Sequence, residues 1–244
     1  MAVELAKVKP LEEKEAPISG IRKAIAKNLK EVLETSAYCS LVLKADVTNL
    51  WNLRAKVKDK VFEEHNVKLT FLSWIVKASA IALSEYPSFA ARWDGVEGKV
   101  YYPGTLNIAI AVDTPFGLFV PVIRGVENLS IIEIQKEIVR LSTLAREKKL
   151  KMSDMTGGCF AITNVGSAGV LFGSPIMNKG NTAISATGAI IDELKLNKEG
   201  AVENRKVMYL SIAADHQWVD GADMARFQGR IKELIENPEQ LGEF

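Results

Sequence analysis

From Thr70 to Tyr86 the chain runs TFLSWIVKASAIALSEY, apolar with only Ser, Lys and Glu interspersed, and then meets Pro87. The stretch is too short and too polar for a membrane span, which needs ~20 apolar residues. It reads as a helix buried on most of its circumference, ended near Pro87 because proline has no N–H to give and clashes with the preceding turn. A buried helix needs a core large enough to enclose it. With 244 residues and 48% apolar content, the chain can bury one large core more readily than two small ones. The expected organisation is one domain over residues 17–244, preceded by a linker or arm over residues 1–16. Met1 to Ala16 mixes Lys and Glu without a sustained apolar face.

The rest of the chain alternates the two hydrophobic periods. Ile21, Ile25, Leu29, Val32 and Leu33 fall at helical spacing behind Ser19, a suitable cap. Cys39 to Val47 alternates as a strand, and Thr48 or Asn49 can cap a helix running to about Glu64. Further strands are expected around Trp93, at Val100 to Tyr102 and at Leu106 to Val112. The turn Asp113-Thr114-Pro115-Phe116-Gly117 then makes a hairpin with Leu118 to Arg124. Ser130 to Lys149 is the most amphipathic helix, with Ile131, Ile134, Ile138, Leu141 and Leu144 on one face. Cys159 to Thr163, Thr182 to Ile191 and Val207 to Ala213 complete the strands, and Ala222 to Ile235 reads as a last helix. Helices and strands intermixed, with at least one hairpin, predict an α/β two-layer sandwich: a mixed β-sheet covered by helices.

Composition removes several function classes. Lys and Arg number 31 against 30 Asp and Glu, for a net charge of +1. Such a balance lacks the electrostatic footprint of a nucleic-acid-binding protein, though it is compatible with a local basic pocket for a phosphorylated cofactor. Two cysteines, Cys39 and Cys159, are too few for a disulfide framework, and two histidines provide no zinc motif. No metal is expected. A charged start, no signal peptide and no membrane span point to a soluble, cytoplasmic protein.

Chemistry concentrates in Asp215-His216-Gln217-Trp218-Val219-Asp220-Gly221. His216 follows the strand-like Leu210 to Ala214 and precedes the last helix, so it sits on a connection held by regular elements. Imidazole is the side chain best suited to proton transfer near neutrality. A histidine satisfied in the core or at a helix start is the plainer reading of the same spacing. Asp215 points to the opposite side in an extended segment and reads as architectural. Trp218 reads as an apolar filler, and Trp51, Trp74 and Trp93 as packing without a chemical role. His65 reads as a solvated residue at a helix C-terminus, favoured there by the helix dipole.

Three segments together carry a resemblance: Ile110 to Val122, with Asp113-Thr114-Pro115-Phe116-Gly117; Gly157-Gly158-Cys159-Phe160-Ala161-Ile162-Thr163-Asn164-Val165-Gly166; and Asp215-His216 to Asp220-Gly221. In this order and spacing the chain, from Ile18 to about Pro238, resembles the catalytic domain of the dihydrolipoyl acyltransferase components of 2-oxo-acid dehydrogenase complexes. That family shares its fold with chloramphenicol acetyltransferase. The resemblance implies acyl transfer between a dihydrolipoyl thioester and coenzyme A as substrate, with the lipoyl group carried on a separate domain. His216 matches the family's general base. Thr163 matches its Ser or Thr donor to the oxyanion, the plainer alternative being a strand threonine bonded to backbone. Asp220 matches an acid that, in the wider fold family, pairs with an arginine near the N-terminus, for which Arg22 is the candidate; capping of the following helix is the other reading. Arg22 and Lys23 are alternatively the residues that meet coenzyme A phosphates. The glycines Gly157, Gly158, Gly166 and Gly169 suit tight turns and close backbone approach.

The family's architecture implies a homotrimer whose active sites lie between subunits, assembling further into a cubic or icosahedral core. Its implied partners are a lipoyl domain, the decarboxylase and the dihydrolipoyl dehydrogenase, with the mitochondrial matrix as the compartment in a eukaryote. Leu241 and Phe244 are candidates for the C-terminal plug between trimers. The resemblance covers the catalytic domain alone, as expected of an isolated catalytic core, with Met1 to Ala16 the remains of a linker, or of a natural short form. Asp220-Gly221-Ala222-Asp223 resembles acetyl or branched-chain members, which points to acetyl and a pyruvate dehydrogenase complex. Gln217 stands where members often have Arg, Ala90 where Asn is customary, and Ser174-Pro175-Ile176-Met177-Asn178 where an Asn-Pro-Pro stretch is usual. A small-molecule O-acetyltransferase of the same fold and a scaffold with lapsed catalysis are the competing readings.

Overall fold

The computed structural model describes Ala6, residues 8–94 and residues 96–242, apart from the side chain of Ile21. Ile21 of the first apolar stripe, Phe244 of the expected plug and part of the Met1 to Ala16 arm therefore lie outside the described residues. Residues 8–19 form neither helix nor strand.

Helix α1, Gly20–Thr35, begins where Ser19 predicts: the Arg22 N–H donates to Ser19 Oγ at 3.2 Å. Strand β1 is Tyr38–Asp46 and helix α2 is Thr48–His65. Neither Thr48 nor Asn49 is its cap. Thr48 is the first helical residue, and Asp46 Oδ1 accepts from both its N–H (3.1 Å) and its Oγ1 (2.6 Å). A carboxylate two residues upstream has taken the role that a hydroxyl usually fills. Helix α3, Phe71–Glu85, is the expected buried helix, with Trp74, Ile75, Val76, Ala78, Ala82 and Leu83 inside.

The short strands β2 (Arg92–Asp94) and β3 (Lys99–Tyr101) pair with each other. Strand β4, Ile108–Ile110, is followed by the hairpin of β5 (Val112–Thr114) and β6 (Gly117–Phe119). The expected strand from Leu118 to Arg124 is broken. β6 belongs to the hairpin while β7, Val122–Ile123, joins β4 in the main sheet. Pro121 lies between them, offering a carbonyl to Ile110 N (2.9 Å) but no N–H to continue a ladder. Helix α4, Ile131–Arg146, starts with a reciprocal cap: Glu133 N–H donates to Ser130 Oγ and Ser130 N–H to Glu133 Oε2. It buries Ile131, Ile134, Ile138 and Leu141 as its period predicts. After the single turn α5, Met152–Met155, come β8 (Phe160–Asn164), β9 (Ala183–Thr187), β10 (Ile191–Leu196), β11 (Val202–Asp215) and helix α6 (Gly221–Glu236).

The expected strand Thr182 to Ile191 is also two. The ladder is interrupted at Gly188, where an added Cβ would run into the Leu171 carbonyl, and resumes on the same β11 at Ile191. β11 is longer than Val207 to Ala213 because its polar first half pairs with β10 in a hairpin. The main sheet runs β1-β11-β9-β8-β4-β7, with β10 also on β11. It is mixed, since β8 is parallel to both β4 and β9 while β1, β9 and β10 are antiparallel to β11. The expected mixed sheet with covering helices is what forms.

Side chains two apart share a face, and the two faces differ. Ile108, Ile110, Phe160, Ile162, Leu210, Ile212 and Ala214 enter the large core with α3, α4 and α6. Phe227 of α6 stacks on Phe89 (4.2 Å between centroids) and meets Phe160 edge-on. On the opposite face Ala109, Val122, Ala161, Ile184 and Ala213 pack against Val32 of α1 and Met177. That second face carries Thr163.

Candidate active site

His216 is the first residue beyond β11 and Asp220 the N-cap of α6, so a strand end and a helix start together define the connection. The connection is fixed by its backbone. His216 N–H donates to Ala37 O (2.8 Å), Asp215 N–H to Thr182 O (3.0 Å), and Trp218 and Val219 N–H both return to Asp215 O (3.0 and 3.1 Å). The imidazole itself is exposed. Its Nδ1 lies 3.9 Å from Asp220 Oδ1, within ion-pair range when protonated but too long for a hydrogen bond. Gly221 leaves room beside it: a Cβ there would stand 4.0 Å from Nε2.

Asp220 caps with its carbonyl, which accepts from Met224 N (2.9 Å), while its carboxylate makes no cap bond and faces His216. No ion pair joins Asp220 to Arg22 among the described residues. α1 explains this. Its C-terminal end is the one that meets the histidine connection, through Thr35 O and Gln217 Nε2 (2.9 Å), and Arg22 lies thirteen residues back, ~20 Å along the axis. Arg22 and Lys23 are exposed on the first turn of α1.

Thr163 lies near the end of β8 on the second face, half-buried, and its Oγ1 accepts or donates no hydrogen bond among the described residues. Asn164 closes the strand by accepting from Gly166 N–H (2.9 Å), and Gly166 lets this turn press against the Gly188 carbonyl. Register fixes how far Thr163 is from His216. Thr163 is opposite Ala186, and Ala186 is opposite Ser211, two strands over. His216 is five residues beyond Ser211. At ~3.3 Å per residue and ~4.8 Å per strand, the two side chains are roughly 20 Å apart in one chain.

Two residues outside the expected set belong to the connection. Asp215, 7% exposed, accepts from Ala37 N–H (3.0 Å), Gln217 N–H (3.1 Å), Gln217 Nε2 (3.2 Å) and Trp93 Nε1 (3.2 Å). Its architectural reading fits these contacts. Trp93, however, is more than packing, because its indole reaches that carboxylate from β2. Nothing in the sequence near Trp93 announces a partner 122 positions away. Trp218 does fill apolar space, and also donates to Ser88 O (3.0 Å).

A family model for the catalytic domain of 2-oxoacid dehydrogenase acyltransferases matches residues 10–243. The chain belongs to this family. Among similar acyltransferases, the mitochondrial succinyltransferase component of the 2-oxoglutarate dehydrogenase complex of Bos taurus is 40% identical over 91% of this chain and 48% of its own length. The acetyltransferase component of the pyruvate dehydrogenase complex of Corynebacterium glutamicum is 39% identical over 90% of the chain and 33% of its own. The chain thus spans about half or less of these relatives. A solved dihydrolipoamide acetyltransferase of Azotobacter vinelandii superposes with a TM-score of 0.89 at 31% identity, over 97% of this chain and 99% of that one. Chloramphenicol acetyltransferase shares the acyltransferase fold, with a TM-score of 0.54 at 16% identity over 86% of this chain and 94% of that one.

Proposed function

We propose that the chain transfers an acyl group between a dihydrolipoyl thioester and coenzyme A, with His216 as the general base. The observation that carries this is an exposed imidazole on a connection whose backbone is tied on both sides, in a chain of acyltransferase ancestry. Neutral imidazole takes the proton of the coenzyme A thiol as the sulfur attacks the thioester carbonyl. A free thiol ionises near pH 8.5, so a base working near neutrality supplies the thiolate at the moment of attack. The C=O bond opens to an oxyanion, which the hydroxyl of Thr163 stabilises by donating a hydrogen bond. Collapse breaks the carbon–sulfur bond to the dihydrolipoyl group, and the imidazolium returns its proton to the departing sulfur.

Thr163 and His216 of one chain are too far apart to serve one carbonyl. The roughly 20 Å between them supports a site completed by a neighbouring copy, hence the homotrimer. The exposed Arg22 and Lys23 are offered to the coenzyme A phosphates. The acyl group is acetyl: residues 215–222 carry no cation to pair with a succinyl carboxylate. The succinyl reading is favoured by the similarity to the bovine succinyltransferase component. Partners follow from the reaction: a lipoyl domain, the decarboxylase that loads it and the dehydrogenase that reoxidises it.

The deciding experiment measures initial rates of transfer to dihydrolipoamide from acetyl and from succinyl coenzyme A, with His216→Ala beside the parent. Faster acetyl transfer and a fall of about 10²-fold or more in the variant are expected. An unchanged rate in the variant overturns the role of His216, and a preference for succinyl overturns the acyl assignment.

A further inference from the structure

Among the described residues no side chain stands at hydrogen-bond length from the His216 ring to orient it. Its nearest candidate, Asp220 Oδ1, is 3.9 Å away and 80% exposed. A base must hold within a fraction of an ångström of its proton, and here the constraint has to enter through the backbone that carries the ring. That backbone is anchored by the residue before it. The carboxylate of Asp215 is buried at the meeting of three segments, and each supplies an N–H: Ala37 from the α1–β1 junction, Gln217 from the connection itself, and Trp93 from β2.

None of these donors is a cation, and no ion pair includes Asp215 among the described residues. A buried carboxylate held only by neutral donors depends on each of them, since nothing else offsets its lost hydration. Gln217 spans the same junction by donating to Thr35 O (2.9 Å) and to both Asp215 oxygens (3.2 and 3.4 Å). Trp93, 122 positions away, adds its indole N–H to Asp215 Oδ2 and is the one donor from β2 among the described residues.

We propose that Asp215 and Trp93 are positioning residues for His216, the indole N–H holding the carboxylate that in turn fixes the backbone bearing the imidazole. The proposal rests on His216 being the working base, but its test has a readout that does not depend on turnover. The chain has two histidines, so nitrogen-15 labelling of histidine gives two imidazole signal sets. His65, at the far end of α2, is the internal reference.

In Trp93→Phe, which keeps an aromatic ring, smaller than the indole, and loses the N–H, the His216 signals shift and broaden while those of His65 stay in place. The kcat falls about tenfold, the scale of one hydrogen bond to a charged group, with KM for both substrates within about twofold of the parent. Asp215→Asn, which must turn an N–H toward these donors, moves the His216 signals further. Adding Trp93→Phe to it changes nothing more, because the bond is already lost. Unmoved His216 signals in Trp93→Phe overturn the proposal, as do additive effects of the two substitutions. If the parent transfers no acyl group the function assigned above fails, and the imidazole spectra still decide this one. If Asp215→Asn does not fold, the spectra of Trp93→Phe suffice.

Discussion

Thr163 combines a hydroxyl on the sheet's second face with no hydrogen bond to its own chain among the described residues, which leaves it free to donate to an incoming oxyanion. Thr163→Ala removes that donor alone, because the β8 pairing is made by backbone. The expected loss in kcat is ~10²–10³-fold, with KM little changed, as measured in steady-state acyl transfer. Thr163→Ser, which keeps the hydroxyl, retains most of the rate. Cys159, four residues upstream, does not compete as a thiol nucleophile. Burial raises its pKa above the ordinary cysteine range, and its Sγ donates to Asn107 O at 3.3 Å. At this scale His216 drew attention through residue type and its place between a strand and a helix, and Thr163 through the family resemblance alone. Trp93 drew none, since its partner, the last residue of β11, is brought near only in the fold.

Helix α4 shows what an element contributes through its first turn. The Ser130 backbone N–H, and then its hydroxyl, hold the Glu133 carboxyl below its ordinary value of 4.5. A carboxylate with a lowered folded-state pKa stabilises the fold above its unfolded value, and loses that contribution as the pH falls through the folded one. Glu133→Gln therefore lowers the thermal midpoint near neutrality, and the gap to the parent closes in acid. Ser130→Ala costs ~1 kcal/mol at neutral pH, a drop of about 2–4 °C for a domain of this size, read from circular dichroism melts at one protein concentration. Helix α4, with a strong period and a cap, and α3, a long apolar stretch ended by Pro87, were plain in the sequence. The strands were less so: Pro121 divides one apolar run into strands with different partners, and Gly188 interrupts another between β9 and β10, which both lie on β11. The polar first half of β11 escaped notice because it is half-exposed against β10 and has no apolar alternation.

The whole molecule has one thoroughly covered face and one that a single chain leaves open. α1 buries Val32, while Leu29 and Leu33 stay 38% and 47% exposed, and Val42 in the Thr163 row of the sheet is 40% exposed. Apolar surface of this kind beside a divided site fits a closed ring of copies. Mass measurement at micromolar concentration should give a trimer. A sharper check coexpresses the His216→Ala and Thr163→Ala chains in equal amounts. Each variant alone is inactive, but a shared interface pairs the intact histidine of one with the intact threonine of the next. About a quarter of parental activity returns if assembly is random. Two inactive variants that stay inactive when mixed would sink the shared site.

The sequence by itself determined the mixed sheet and its covering helices, because hydrophobic period, caps and breakers act over a few residues and need no knowledge of the remainder. It also made His216 a candidate by residue type and position, and Thr163 one through the family resemblance. Only the tertiary structure decided that these two stand roughly 20 Å apart, since strand register is set by pairing between distant segments. The same holds for the Asp215 carboxylate. Its donors come from positions 37, 93 and 217, and only packing brings them around one buried charge.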